Sequence, residues 1–257
     1  MKRLKLAVLA SAMLVSPVMA QQAPAPEVRQ VGTARLENVP EIPADVREAV
    51  QRYQNSRSAE FEDWLADGTM LIRTRFGTSN QLHHVAAPGA GREQLTFFSS
   101  PVAGATTIPG THRLVMTRDT DGDEWFQLHV RGLTGDSVQL TQPGTRNGSP
   151  VVSKDGRMLV WTTATKGSAA YTLNAVDLTA ATPTPRVLYK SDGAIGASDL
   201  SADKGRVLFT RTLSNRESQI FVLDTATGRA TRIAPDAPAA RYDSPRADTE
   251  GGRPCVT

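Results

Sequence analysis

Residues 151–163 read VVSKDGRMLVWTT: a short extended run, a polar corner at Asp155-Gly156, and an apolar run from Met158 to Thr163. Asp-Gly between two apolar runs predicts a β-hairpin, because Gly takes the positive φ that such a turn demands. The pattern recurs. WLADGTMLIRT begins at Trp64, TTIPGTHRLVMT at Thr106, DLSADKGRVLFT at Asp199 and RADTEGGRPCVT at Arg246. The turn glycines Gly68, Gly110, Gly156, Gly205 and Gly252 lie 42 to 49 residues apart. Such a period marks propellers and solenoids.

Two further registers repeat with the first. Second strands align as NQLHHV from Asn80, FQLHVR from Phe126, YTLNAV from Tyr171 and SQIFVL from Ser218. Third strands align on Leu95, Leu140, Leu188 and Ile233, which are 45, 48 and 45 residues apart. An entering strand precedes each hairpin, at 61–65, 103–107, 149–152 and 197–200. Each unit therefore reads as four antiparallel strands without a helix, the blade of an all-β propeller rather than a solenoid coil. The predicted blades are about 61–100, 101–145, 146–194 and 195–240, with a partial fifth over 241–257. Pro254 falls where the other units carry an apolar strand residue, which weakens that strand. Four blades and a fragment leave a ring open, so the sequence is expected to be incomplete as a propeller.

The segments ahead of the blades differ in kind. Lys2, Arg3 and Lys5, the apolar run Leu6–Val15 and Val18-Met19-Ala20 form a signal-peptide pattern over 1–20, with cleavage expected after Ala20. Residues 21–40, rich in Pro, Ala and Gln, read as a flexible leader. Within 41–58, Val46, Ala49, Val50 and Tyr53 sit at helical spacing after Pro43, predicting a short helix that packs its apolar stripe on the propeller; a lid or partner helix is the alternative. A periplasmic or secreted location follows from the leader.

Charge excludes some function classes. The chain carries 29 Lys and Arg against 26 Asp and Glu, and Lys2, Arg3 and Lys5 of the signal-peptide pattern account for the whole excess. Without it the chain is balanced, which removes the basis for nucleic-acid or anionic-surface binding. No other run reaches membrane length, so no membrane contact is expected after cleavage. The single cysteine, Cys255, permits no internal disulfide and has no neighbouring base.

The densest acidic stretch is Asp119, Asp121, Asp123 and Glu124. A calcium loop of the helix–loop–helix kind needs Gly at its sixth position and Glu at its twelfth, where this chain has Glu124 and Val130. A solvated connector is the expectation. His83 and His84 are adjacent and point to opposite faces of a strand, while His83 and His129 fill one slot of successive blades. With His112 they make no zinc pattern, so no metal and no cofactor is predicted. Arg146-Asn147-Gly148 reads as a turn, and Trp64, Trp125 and Trp161 as core and inter-blade packing.

Four quoted runs carry a family resemblance. IPADVREAVQRYQNSRSAEFEDW from Ile42, REQLTFFSSPVAGA from Arg92, TRDTDGDEWFQLHV from Thr117 and TRNGSPVVSKDGRMLVWTT from Thr145 resemble the N-terminal propeller of exported bacterial serine peptidases. These belong to the prolyl oligopeptidase family, in its dipeptidyl aminopeptidase and acylaminoacyl peptidase branch. TolB-type propellers share the shorter SxDGxxLxxxS unit, which alone is not diagnostic. The resemblance implies a propeller that gates peptide access to an α/β-hydrolase domain, and it makes Arg118 and Glu124 candidates for meeting a peptide or that domain. The hydrolase would need a G-x-S-x-G elbow, which this sequence lacks, so no catalytic residue is assigned. Expected partners are peptides, the C-terminal hydrolase domain or other proteins. The alternative is a stand-alone periplasmic binding or scaffolding propeller of the TolB kind. A propeller enzyme acting on sugars or nucleotides ranks last.

Overall fold

In a computed structural model, the described residues are 27–233, 240–242, 245–247 and 254–255. The predicted signal peptide and much of the predicted fifth unit lie outside them. Residues up to Ile42 form one unit and those from Pro43 another.

The described part of the first unit corrects the flexible-leader expectation. β1 (Val28–Val31) and β2 (Ala34–Glu37) pair antiparallel, with Val31 opposite Ala34. Gly32 turns the chain at φ +57°, and Asn38 closes the base by exchanging hydrogen bonds with Glu27. The Gly32-Thr33 corner outweighs the local polarity, because a two-residue loop with Gly is sufficient to reverse the chain.

The second unit opens on α1 (Ala44–Gln54), with Pro43 at its N-cap. The helix forms as predicted but buries none of its residues; Val46, Val50 and Tyr53 are exposed. Packing of its stripe on the blades is therefore corrected. A bond from the Arg75 guanidinium to the Gln54 carbonyl ties the helix C-terminus down.

Sixteen strands then form four four-stranded antiparallel sheets, each in sequential order. The first holds β3 (Ala59–Trp64), β4 (Met70–Thr74), β5 (Gln81–Val85) and β6 (Arg92–Gln94). The second holds β7 (Val102–Ile108), β8 (Arg113–Arg118), β9 (Gln127–Gly132) and β10 (Val138–Gln139). The third holds β11 (Thr145–Val152), β12 (Met158–Thr165), β13 (Tyr171–Asp177) and β14 (Arg186–Ser191). The fourth holds β15 (Ile195–Leu200), β16 (Arg206–Ser214), β17 (Glu217–Asp224) and β18 (Ala230–Arg232). A hairpin of β19 (Arg246–Ala247) and β20 (Pro254–Cys255) follows. These are propeller blades, and among the described residues they do not close into a ring.

VVSKDGRMLVWTT is the β11–β12 hairpin, with Val152 opposite Leu159 and Val151 opposite Val160. Successive side chains point to opposite faces, so Leu159 and Trp161 pack toward the second blade and Val160 toward the fourth. The core is accordingly three layers lying between blades. Leu71, Leu82 and Leu95 meet Val102, Leu114 and Met116; Ile108, Val115 and Leu128 meet Leu159, Trp161 and Val176; Val160, Leu173 and Leu188 meet Leu200, Val207 and Phe209. Trp161 is buried as predicted, and its indole N–H donates to Asn147 Oδ1 and Thr163 Oγ1. Trp125 is only half-buried. Trp64 is a correction: it is 56 % exposed and lies against Phe61, since no sheet among the described residues covers that face of the first blade.

Carboxylates clamp neighbouring blades. Asp63 accepts hydrogen bonds from the Thr107 backbone N–H and hydroxyl across to the second blade. Asp199, at the matching bulge of the fourth blade, accepts from the Ala247 N–H at 2.9 Å. The final hairpin thus docks by the same bond that joins the first two blades.

Candidate functional site

Each blade has two ends. At one, the tight hairpins between first and second and between third and fourth strands emerge; we term this the hairpin rim. At the other, the connectors between second and third strands meet the links between blades; this is the connector rim. The two candidates from the sequence, Arg118 and Glu124, both lie on the connector rim of the second blade.

Arg118 ends β8. Its guanidinium lies 4.3 Å from the centroid of the Phe98 ring, which comes from the link between the first and second blades. The side chain is half-buried, and its Nε is buried without a partner. Glu124 is exposed at the far end of the connector, with φ +58°. No hydrogen bond or ion pair joins it to Arg118 among the described residues. It faces Arg146 instead, at 3.9 Å, and Arg146 in turn lies 5.7 Å from the Phe126 ring. Lys166, from the third blade, sits 5.6 Å from the Trp125 ring. Three cations therefore layer on three aromatic rings along one rim, across the second and third blades and the link that enters the second. Such contacts contribute about 0.5–1 kcal/mol each where exposed.

The acidic connector is held from within. Asp119 is buried; one carboxylate oxygen accepts from the Glu124 N–H at 3.0 Å, and the other is buried without a partner. Asp123 accepts from the Trp125 N–H, and the Asp121 N–H donates to Ser100. The expectation of a solvated connector is corrected at Asp119, whose carboxylate folds inward to shape the loop. Among the described residues, no group of three or more His, Cys, Asp or Glu is placed to hold a metal ion.

Resemblance supplied Arg118 and Glu124; Phe98, Phe126, Lys166 and Trp125 were not found as partners from the sequence. Arg146-Asn147-Gly148 corrects the turn reading, because it lies within β11. Asn147 is buried there, donating to the Phe126 carbonyl at 3.0 Å. That bond fixes the ring under Arg146.

The histidines behave as strand alternation requires. His83 and His129 are buried in corresponding slots, while His84 turns outward to Thr69 Oγ1 at 2.9 Å. Burial, with the nearby Arg118 charge, drives the His129 pKa down to about 4. Burial lowers that of His83 as well, with Arg92 adding to it. Both are neutral at pH 7, unsuited to binding an anion by charge.

No protein-family model matches the sequence, and no curated protein matches it. Solved structures are similar in fold. TolB from Acinetobacter baumannii superposes with a TM-score of 0.54 at 16 % identity, covering 76 % of this chain and 47 % of that one. A putative TolB from Agrobacterium tumefaciens gives 0.56 at 14 %, covering 78 % and 69 %. A structure from a study of two prolyl endopeptidases gives 0.57 at 11 %, covering 89 % and 41 %. The chain thus spans about half of that first TolB and less of the endopeptidase. At identities this low, the structural likeness establishes the propeller fold alone. No helix among the described residues is long and apolar enough to cross a membrane.

Proposed function

We propose that this chain is the substrate-gating propeller of an exported serine peptidase of the prolyl oligopeptidase kind. In this reading a leader over residues 1–20 directs it to the periplasm or outside the cell, and the bond-breaking chemistry belongs to an α/β-hydrolase domain. The observation that carries the proposal is the connector rim. It presents half-buried Arg118, outward Glu124 and Arg146, and aromatic Phe98, Phe126 and Trp125 on adjoining loops. An extended peptide offers carbonyl and carboxylate acceptors to guanidinium groups, donors to a carboxylate, and side chains to ring faces. Arg118 and Glu124 are the polar anchors, and loops on a rigid scaffold are where such recognition resides.

The test is titration of the purified chain with unstructured proline-containing peptides, followed by fluorescence of Trp125 and its neighbours. Saturable binding is expected, weakened about tenfold or more in Arg118→Ala and in Glu124→Gln, with no peptide cleavage by the chain itself. Binding unaffected by either substitution would sink the assignment of this rim. Binding confined to a folded protein, with peptides ignored, would favour the TolB-like scaffolding alternative. Cleavage blocked by a serine-directed inhibitor would overturn the absence of a catalytic serine.

A further inference from the structure

A cavity of about 360 Å³ opens on the hairpin rim, between the third blade and the first hairpin of the fourth. Its floor is apolar, formed by buried Ala175 and partly buried Met158 on the face turned toward the fourth blade; the Val176 side chain packs on the opposite face. Its walls carry Arg157, Arg186 and Lys204. Lys204 is engaged, forming an ion pair with Asp155 across the two blades. The two guanidinium groups are not. Neither donates a hydrogen bond or enters an ion pair with a described residue, and Arg157 acts on Asp177 only through its field. The Asp177 carboxylate at the cavity edge is occupied by the Thr179 N–H at 2.8 Å and hydroxyl at 2.6 Å. Counting Asp155 and Asp177 against three cations leaves the cavity with one net positive charge.

The second blade provides an internal comparison. A cavity of about 370 Å³ at the same level is also lined by two arginines, Arg113 and Arg131. There the donors are used by the fold: Arg113 reaches the Leu178 carbonyl at 3.1 Å, and Arg131 bonds the carbonyls of Leu95, Gly132 and Leu133. In the fourth blade the corresponding cavity also carries two arginines without a side-chain partner among the described residues, Arg206 and Arg229, but it is lined by that blade alone. Only the third-blade cavity, among the three, combines walls from two blades, an apolar floor and unused guanidinium forks.

We propose that this cavity binds a carboxylate attached to an apolar body, the forks of Arg157 and Arg186 taking the carboxylate and the Met158–Ala175 floor taking the apolar part. Guanidinium groups match carboxylates in bidentate geometry, and the volume lies at the low end of small-ligand sites. Two sources share this chemistry: the free C-terminus of a peptide ending in an apolar residue, and a medium-chain fatty acid. The site lies on the opposite rim from Arg118 and Glu124, so it stands or falls independently of the peptidase reading.

The experiment is calorimetric titration of the full chain at low ionic strength with N-acetyl-Ala-Leu, its C-terminal amide, and octanoate. The free acid is expected to bind saturably, and the amide at least tenfold more weakly. The double variant R157Q/R186Q should lose at least tenfold in affinity for the acid, while R229Q in the fourth blade should not change it. Octanoate binding as tightly as the peptide acid assigns the site to apolar carboxylates in general; octanoate failing where the peptide acid binds assigns it to peptide termini. No saturable binding, equal affinity for acid and amide, or wild-type affinity in the double variant overturns the proposal. Both arginines are exposed, and the acid-against-amide comparison on the unmodified chain needs no variant to fold.

Discussion

The two rims are built from the ends of the same strands and are chemically opposed. On the hairpin rim, five aspartates fold back on their own turns. Asp67 is held by Thr69, Asp155 by Lys204 and Ser153, Asp177 by Thr179, Asp203 by Ser201, and Asp224 by Thr227, and these bonds keep all five carboxyls below the usual range. Ser201 Oγ also accepts from the Arg206 N–H, as Ser153 Oγ does from Met158. On the connector rim the polar groups are less completely used: Arg118 Nε and Arg211 Nε are buried without partners, as is Asp119 Oδ1. Short turns that repeat with the fold saturate their own hydrogen bonds; longer connectors, free of the repeat, leave capacity for a ligand. The hairpin rim is the structural end, save at the third- and fourth-blade cavities, where arginines are spared.

Glycine substitutions should expose this difference most strongly. Gly156, on the hairpin rim, has φ +70°, and a Cβ there would stand 2.3 Å from the Pro109 carbonyl oxygen of the neighbouring blade. Backbone cannot swing aside as a flexible side chain can. Gly156→Ala is expected to cost about 4 kcal/mol, joining left-handed strain to overpacking. Gly167, on the connector rim, has φ +80° with nothing within 4 Å of the same atom. Gly167→Ala should therefore cost only about 1–2 kcal/mol, the strain alone. Urea denaturation measures both. Equal losses would show that the blades do not approach as closely at the hairpin rim as the structure has them.

Acid should discriminate between the rims and what lies between them. The rim aspartates have folded pKa values below the unfolded value near 3.8, so their contribution is present above that pH and is lost only as pH falls below it. His129 has the opposite character. Its unfolded pKa is near 6.5 and its folded value about 4, so the unfolded chain takes up the proton first. Stability should fall as pH drops from about 6.5 to 4, by on the order of 3 kcal/mol, and level off below that for this group. His83 adds a loss of the same sign. His129→Asn, which places in the second blade the residue that Asn174 provides in the third, should flatten the slope measured by denaturation across that window. A slope unchanged by the substitution would show that burial does not depress the His129 pKa, since the rim aspartates act only below about 3.8.

The repeats were legible because each blade must alternate apolar and polar residues and reverse at a fixed place. VVSKDGRMLVWTT and its relatives therefore revealed the strands directly. Some details escaped that period. The third-blade strand β11 runs through Asn147-Gly148, because a buried Asn that bonds both a carbonyl and an indole gains more from the strand than from a turn. At Gly205 the extra residue Lys204 takes the positive φ, +61°, that glycine takes in the three earlier hairpins. Trp64 reads as core by composition, yet its burial depends on a neighbouring sheet that local sequence does not specify. The same limit applies to the site. Arg118 and Glu124 could be singled out, but Phe98 and Arg146 belong to other parts of the chain, brought near by blade stacking. Period aligns equivalent residues of different blades; it does not say which inequivalent ones touch.

Glu124 supplies the finest test of the contrast between rims. It holds φ +58°, a region in which glycine is at ease and a branched or long side chain is strained. Its backbone N–H bond to Asp119 would survive substitution by glycine, and its exposed ion pair with Arg146, at 3.9 Å, contributes little. Glu124→Gly should therefore stabilise the chain, by about 0.5 kcal/mol after the greater freedom of glycine in the unfolded state is offset. If the connector rim receives peptides, the same variant should bind them less tightly while unfolding at higher urea. A residue that costs stability and contributes binding is the pattern of a functional position. Loss of stability in Glu124→Gly would instead make the carboxylate part of the scaffold, and the distinction between the two rims would narrow to Arg118 alone.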